Sequence, residues 1–251
     1  MERHTVVKCS RRDFLRIAGS SAVILATTPH VTLGAGAPGG APLKIASIGA
    51  GHIGSTLGTL WVQAGHPVMF SSRHPEQLKT LVDGLGPLAH AGTVQEAVAF
   101  GDIVQIAVPY SAMPQIGRDF ARELATKVLV FDISNPVPAR DGEIGTWARE
   151  KGAGLASAEL LPGARLVRAF NAIGGYAKLP AAARHQGERS GIPMAGDDAE
   201  AIAVASRLVR EIGFEPVVIG PLAMGKHLIP GSPLAGLHTP EEIRQIVATL
   251  K

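Results

Sequence analysis

A glycine-rich turn between an apolar run and a helical stretch constrains the fold of this chain more than any other feature. Residues 43–48 read LKIASI, and Gly49–Gly54 then read G-A-G-H-I-G, a G-x-G-x-x-G pattern. Apolar residues at helical spacing follow over 53–64, and a second strand-like run begins at Val68. In such a unit the three glycines permit a tight turn, the approach of a pyrophosphate and close helix packing. The pattern predicts a βαβ unit that binds a dinucleotide; the alternative is a glycine-rich turn without a ligand.

The residues that end the second strand indicate which dinucleotide the turn would hold. Sites that bind NAD usually carry an acidic residue there for the ribose hydroxyls. Residues 71–74 read S-S-R-H and contain no acid. The hydroxyl of Ser72 and the guanidinium of Arg73 suit a 2′-phosphate, which a carboxylate would repel. We therefore expect NADP(H), and we interpret His74 as a solvated residue before the next helix.

Strand-like and helix-like segments alternate along the rest of the chain. The strand candidates cover 43–48, 68–70, 88–91, 102–108, 127–132, 165–170, 192–195 and 215–219. The alternation predicts an α/β fold with a doubly wound, mostly parallel, Rossmann-like sheet and a small C-terminal extension. Ligands of such sheets bind outside the carboxyl ends of the strands, so the loops 49–54, 108–111 and 132–137 should surround the cofactor.

The N-terminal residues indicate an export signal. Residues 10–16 read S-R-R-D-F-L-R, and an apolar run and small residues at 34–37 follow, which is the order of a twin-arginine signal. We predict an export signal over 1–37, a linker over 38–42, and delivery by the twin-arginine machinery to the periplasm or outside. The alternative is an uncleaved leader that anchors the protein to a membrane.

The remaining chain is predicted to form one NADP-binding domain over 43–222. A C-terminal loop and helix over 223–251 should pack on the same domain. Lys226 and His227 lie in this Gly/Pro-rich part, where they would be solvated or bind an anionic substrate.

Charge and composition exclude several functions. The net charge is +3, but residues 1–37 hold five basic and two acidic residues, so the remainder is balanced and gives no basic patch for nucleic acid. The single cysteine, Cys9, lies in the leader, which excludes disulfides and thiolate chemistry from the rest. The nine histidines show no metal-ligand spacing, so we expect no metal.

Seven segments of the sequence, taken in their order along the chain, are similar to those of a known family. They read IGAGHIGSTLG, SSRH, AVPYSAM, DISNPV, LPGARLVRAFN, AGDD and IGFEPVVIGPL. Together they resemble the NADPH-dependent reductases of the deazaflavin coenzyme F-420, and the wider group that shares their NADP-binding domain. The resemblance covers about residues 43–222.

The resemblance implies hydride transfer between the nicotinamide of NADP(H) and a deazaflavin or flavin-like ring. The implied cofactor-binding residues are Gly49, Ala50, Gly51, His52, Ile53, Gly54, Ser72, Arg73, Val108, Pro109 and Tyr110. The implied cleft for the second substrate contains Ser134, Asn135, Phe170 and Asn171. Two alternatives stay open: Asn135 could only shape the turn before a proline, and Tyr110 could only pack.

The functional hypothesis is an NADP(H)-dependent oxidoreductase whose acceptor is coenzyme F-420, a flavin or another small organic molecule. Hydride transfer between stacked rings depends on position more than on acid or base groups, so no catalytic residue is predicted. One alternative is a non-catalytic NADP(H)-binding redox sensor or partner module. The other is an imine or carbonyl reductase resembling pyrroline-carboxylate reductases. A homodimer is an open option.

Overall fold

The computed structural model describes residues 41–183 and 187–250. The predicted export signal over 1–37 and most of the predicted linker lie outside these residues. Within them, no helix combines the length and the apolar character that crossing a membrane requires.

Eight strands form one sheet in the order β3-β2-β1-β4-β5-β6-β7-β8. They are β1 (Ile45–Ile48), β2 (Val68–Ser71), β3 (Ala89–Gly92), β4 (Ile103–Ile106), β5 (Leu129–Asp132), β6 (Leu166–Ala169), β7 (Gly191–Gly196) and β8 (Glu215–Gly220). All neighbouring pairs are parallel except β6 and β7, which are antiparallel. The predicted α/β, mostly parallel and Rossmann-like sheet is confirmed.

Helices connect the strands. They are α1 (His52–Gln63), α2 (Lys79–Leu85), α3 (Val94–Phe100), α4 (Met113–Ala125), α5 (Pro138–Asp141), α6 (Glu143–Lys151), α7 (Ala153–Leu160), α8 (Leu179–Ala183), α9 (Ala199–Glu211) and α10 (Pro240–Thr249). The sequence did not predict α5 to α8. It did predict α3, which begins at a capping box between Thr93 and Glu96.

The core lies on both faces of the sheet, because every residue of β1, β4, β5 and β6 is buried. On one face, Trp61 of α1 stacks on Phe131 of β5 with ring centroids 5.6 Å apart. On the other face, Met113 and Leu124 of α4 pack in a cluster with Val130 of β5.

The chain order places a crevice at the centre of the sheet. From β1 the chain continues outward through β2 and β3, and it then returns to the other side of β1 through β4 and β5. Helices that leave β1 and β4 therefore diverge to opposite faces, which opens a cleft at the carboxyl ends of these two strands.

Candidate functional site

The glycine-rich turn after β1 is fixed by close contacts within the protein. Gly49 has φ +92°, and a Cβ atom there would lie 2.6 Å from the Ala107 carbonyl oxygen. At Gly54 a Cβ atom would lie 1.9 Å from the Gly49 carbonyl oxygen. The Ala50 N–H donates to the Ser71 carbonyl at 3.1 Å and holds the turn beside the end of β2. Gly49 and Gly54 are thus required by the packing of the turn itself.

Gly51 differs from these two glycines because a Cβ atom there would meet nothing within 4 Å. It precedes α1, whose start has neither a side-chain cap nor an acidic residue in its first turn. The first N–H groups of a helix lack partners within the helix and carry partial positive charge. An uncapped helix start beside an open glycine fits a pyrophosphate, as the G-x-G-x-x-G pattern predicts.

The predicted 2′-phosphate residues lie directly after β2. The Ser72 hydroxyl accepts a hydrogen bond from the His74 N–H at 3.1 Å, which leaves its own proton for a ligand. Arg73 is exposed, and it has neither an ion pair nor a hydrogen bond with any residue in 41–183 or 187–250. Its guanidinium is therefore available to a phosphate.

A cavity of about 490 Å³ opens at the carboxyl ends of β1, β4, β5 and β6. The turn before α1 forms one wall, and the loops after β4, β5 and β6 form the floor and the opposite wall. Its lining residues are Gly51, His52, Ile53, Ala107, Val108, Pro109, Ile133, Asn135, Val137, Arg140, Asn171, Ala172, Ile173, Gly174, Gly175, Tyr176, Pro230, Gly231 and Ala235.

Seven of the predicted site residues line this cavity. They are Gly51, His52, Ile53, Val108, Pro109, Asn135 and Asn171. Gly49, Ala50 and Gly54 support the turn behind it, and Ser72 and Arg73 lie at the end of β2, outside the cavity lining. Tyr110, Ser134 and Phe170 are also absent from the lining.

The side chain of Tyr110, which the resemblance implies as a cofactor-binding residue, lies in the core. The residue is completely buried among apolar side chains that include Met113 and Ile116. Its hydroxyl lies 3.0 Å from the Ser157 hydroxyl, and burial raises its pKa. The structure favours the packing alternative for Tyr110.

Phe170 also belongs to the core, where it meets the edges of Trp61, Phe131 and Phe214. Its φ is +66°, in the left-handed region that a bulky residue rarely adopts. The Tyr176 hydroxyl donates to the Phe170 carbonyl at 2.6 Å. The aromatic packing and this bond fix the turn after β6, so Phe170 acts on the site by placing Asn171.

Ser134 holds two loops together. Its hydroxyl accepts from the Val108 N–H at 3.3 Å, which ties the loop after β4 to the loop after β5. Its carbonyl accepts from the side chains of Arg168, at 3.1 Å, and Asn171, at 3.4 Å. Ser134 thus supports the cavity floor from behind.

Hydrogen bonds between the loops after β5 and β6 hold the side chains of both asparagines in place. The Asn135 side-chain amide donates to the Asn171 carbonyl at 2.8 Å, and that of Asn171 donates to the Asp132 carbonyl at 3.0 Å. Asn135 therefore does more than shape the turn before Pro136. Both asparagines have fixed positions at the cavity wall.

No role was predicted for Arg168, which is completely buried in β6. It forms an ion pair with Asp132, which is also completely buried. Its Nη2 group donates to the Asn135 Oδ1 atom at 3.3 Å and to the Leu228 carbonyl at 3.0 Å. The sequence does contain a signal for this ion pair, namely an arginine inside one apolar strand and an aspartate at the end of another. A buried charge needs a partner, so these two residues could have been paired.

Arg140 and Asp141 form a second pair that the sequence did not reveal. The Arg140 guanidinium donates to the carboxylate of Asp141 from Nε, at 3.0 Å, and from Nη2, at 2.8 Å. The same carboxylate accepts from the backbone N–H groups of Ser111, at 3.2 Å, and Val137, at 2.8 Å. Burial acts to raise the pKa of Asp141, but these hydrogen bonds outweigh it and the pKa is lowered.

The C-terminal segment completes the cavity through Pro230, Gly231 and Ala235. The Gly236 N–H donates to the Ala172 carbonyl at 2.9 Å and holds this segment over the loop after β6. Lys226 and His227 do not line the cavity. In the part of the chain that the structure describes, no three His, Cys, Asp or Glu side chains are grouped to hold a metal ion.

Comparisons with solved structures agree with this fold. A hypothetical protein from Sinorhizobium meliloti is 28% identical, with a TM-score of 0.65 over 80% of this chain and 96% of that one. A structure from Arthrobacter sp. FB24, assigned as an F420-dependent NADP reductase, is 21% identical, with a TM-score of 0.62 over 73% of this chain and 87% of that one. At that identity the second likeness supports the fold.

Sequence comparisons add the class of domain. Metalloreductase STEAP3 of Rattus norvegicus is 33% identical over 189 residues, which are 74% of this chain and 35% of the relative. This chain therefore spans about a third of the length of that curated relative. Residues 44–136, from β1 to the loop after β5, match the family described as NADP oxidoreductase, coenzyme F420-dependent. Over this segment, the chain is thus similar to that family, in agreement with the resemblance that the sequence shows.

Proposed function

We propose that the protein binds NADP(H) along the cleft and transfers a hydride between the nicotinamide and a deazaflavin or flavin-like ring in the same cavity. The observation that carries this proposal is the uncapped start of α1, which opens through Gly51 onto the cavity of about 490 Å³. That volume lies within the range of sites for organic ligands.

Three groups of cleft residues would each hold a different part of the dinucleotide. The start of α1 would hold the pyrophosphate, and Ser72 and Arg73 would hold the 2′-phosphate. The loop with Val108 and Pro109 would face the nicotinamide half. When bound, the nicotinamide supplies or accepts the hydride, and the protein supplies position.

The remaining cavity residues suit this positional role. The walls are mostly apolar and would exclude water. The side-chain amide of Asn135 is fixed by its bond to the Asn171 carbonyl, and that of Asn171 by its bond to the Asp132 carbonyl. Tyr176 lines the cavity, but its hydroxyl donates to the Phe170 carbonyl and burial raises its pKa. A proton donor of the kind that imine or carbonyl reduction needs is therefore not supplied by Tyr176.

Gly51→Ala tests the pyrophosphate site. The added methyl group meets no protein atom within 4 Å, so the fold should be retained, but it occupies the space through which the pyrophosphate approaches. We expect NADPH and NADH to lose about 1–3 kcal/mol of binding free energy alike, measured by fluorescence titration. Gly84→Ala is the matched control, because Gly84 is equally open but lies on α2. Unchanged affinity in Gly51→Ala would contradict the site.

Arg73→Ala tests the choice of NADP(H). Loss of a charge-assisted bond to phosphate should weaken NADPH by about 1–3 kcal/mol and leave NADH nearly unchanged. The same fluorescence titration measures both. Equal losses for the two nucleotides would contradict the assignment of the 2′-phosphate.

Turnover separates an enzyme from a binding module. Anaerobic single-turnover loss of NADPH absorbance with coenzyme F-420, flavins and cyclic imines identifies the class of acceptor. Reduction of a flavin or deazaflavin supports the proposal. NADPH binding without turnover by any of these would favour the non-catalytic alternative.

The order of arginines, apolar run and small residues over 1–37 supports export by the twin-arginine route. Because this route carries folded proteins and free NADPH is not expected outside the cytoplasm, we propose that the exported protein keeps its NADP(H) bound. Mass spectrometry of small molecules released from periplasmic protein tests this. A protein that is isolated empty and binds NADP weakly would contradict it.

A further inference from the structure

One permanently charged side chain, that of Arg140, lines the cavity in the described part of the chain, and no Asp or Glu does. The other lining residues are apolar or neutral, apart from His52. A single guanidinium among uncharged residues is a strong determinant of which ligands can enter, because it attracts an anion and repels a cation. The charge of the cavity is therefore set by Arg140.

The Arg140 guanidinium is held in one orientation. Its Nε and Nη2 groups donate to Asp141, and Nη2 also donates to the Asn135 carbonyl at 2.8 Å. The Nη1 group is not used by these three bonds. A guanidinium that is already oriented loses little conformational entropy when it binds a ligand.

The counter-charge does not reach the cavity. The Asp141 side chain is 0% exposed, whereas that of Arg140 is 47% exposed. The carboxylate already accepts from Ser111, Val137 and Arg140, so its oxygens are directed at the protein. A ligand in the cavity would thus meet the cation and not the anion of the pair.

Arg140 also lies apart from the residues that would hold the phosphates of the dinucleotide. Those residues follow β1 and β2, whereas Arg140 lies on α5, after β5. β4 lies between β1 and β5 in the sheet, which separates their ends by about 10 Å. The phosphates of the dinucleotide have their own donors, and the cation at the opposite wall is left for another ligand.

We propose that Arg140 recognises an anionic group, a phosphate or a carboxylate, on the second substrate. This inference rests on the proposed function, because it requires a second ligand beside NADP(H). It restricts that ligand to molecules whose reacting ring carries an acidic group within reach of the α5 wall. Arg140 acts on the affinity for this substrate and takes no part in the transfer itself.

Binding of matched ligand pairs to the NADP⁺-loaded protein tests the proposal. FMN and riboflavin share one ring and differ by a phosphate; 1-pyrroline-2-carboxylate and 1-pyrroline differ by a carboxylate. Equilibrium dialysis should show the anionic member of at least one pair binding about tenfold tighter or more, and the pair that shows it identifies the anion. Arg140→Gln should abolish the preference and leave the affinity for the neutral member and for NADP⁺ unchanged, whereas Arg140→Lys should keep part of it.

Arg149→Gln is the control, because Arg149 lies exposed on α6 and its loss removes the same charge without touching the cavity. It should keep the full preference. Equal affinities within both pairs, absent binding of all four ligands, or a preference that survives in Arg140→Gln would overturn the proposal. Equal weakening of NADP⁺ in Arg140→Gln would overturn it too, by assigning Arg140 to the dinucleotide. If the anionic ligand binds more tightly but no acceptor receives a hydride, this result would contradict the proposed function and leave the role of Arg140 intact.

Discussion

Two arginine–carboxylate pairs stand near the cavity, and they differ in exposure. Asp132 and Arg168 pair across β5 and β6, and both side chains are 0% exposed. Arg140 and Asp141 pair within α5; the aspartate is 0% exposed, but the arginine is 47% exposed. The chemistry of the two pairs is the same, so any difference in role must come from what surrounds them.

The surroundings make the Asp132–Arg168 pair a structural one. Arg168 joins the loop after β5, through Asn135 and Ser134, to the C-terminal segment at Leu228. It thus holds the cavity floor and one of its walls in register without lining the cavity. The Arg140–Asp141 pair turns its anion inward and presents its cation to the cavity. An ion pair whose cation is exposed can thus bind a ligand in addition to stabilising the fold, whereas a fully buried pair can only stabilise.

The largest effect is expected for Arg168→Met. This change leaves the buried Asp132 carboxylate without its cation, which typically costs about 3–5 kcal/mol. Urea unfolding should show that loss in the free energy of unfolding. Adding Asp132→Leu should recover part of it, because an apolar pair can replace a buried ion pair. A double variant as unstable as Arg168→Met would show that the stranded charge is not the main cost.

The same comparison shows what the sequence could predict. All eight strands and the glycine turn follow from local patterns, because each depends on residues adjacent in the chain, whereas the two asparagines were implied by the family resemblance. Arg168 meets Leu228, 60 residues away, and this contact exists only once β6 and the C-terminal segment are packed. The packing of Tyr110 is non-local too, since its partner Ser157 is 47 residues distant. Helices α5 and α8 span only four and five residues, which is too short to show a helical repeat in the sequence.

A smaller effect is expected for Asp141→Asn. The carboxylate accepts two backbone N–H bonds and the bonds from Arg140, and their weakening should cost about 1–3 kcal/mol at pH 7. Urea unfolding of the variant and the wild type checks this value.

The pH dependence of that difference follows from the lowered pKa of Asp141. A carboxyl group with a lowered pKa in the folded state stabilises fully above its unfolded pKa and loses this stabilisation as the pH falls through the folded value. The gap between wild type and Asp141→Asn should therefore be constant near neutrality and narrow in acid. A gap that widens on acidification would have the wrong sign for a stabilised carboxylate.

The smallest effect on stability is expected for Arg140→Gln. Its guanidinium is about half exposed, and pairs of this kind contribute about 1 kcal/mol or less because water already solvates the cation. The backbone N–H groups of Ser111 and Val137 remain bonded to Asp141 and keep that carboxylate satisfied. Urea unfolding compares this variant directly with Arg168→Met. If the two variants lost similar free energies of unfolding, Arg140 would be as important for stability as Arg168, and exposure would not distinguish the pairs. A small loss in Arg140→Gln together with an altered ligand preference would show that the Asp132–Arg168 pair stabilises the fold and the Arg140–Asp141 pair selects the ligand.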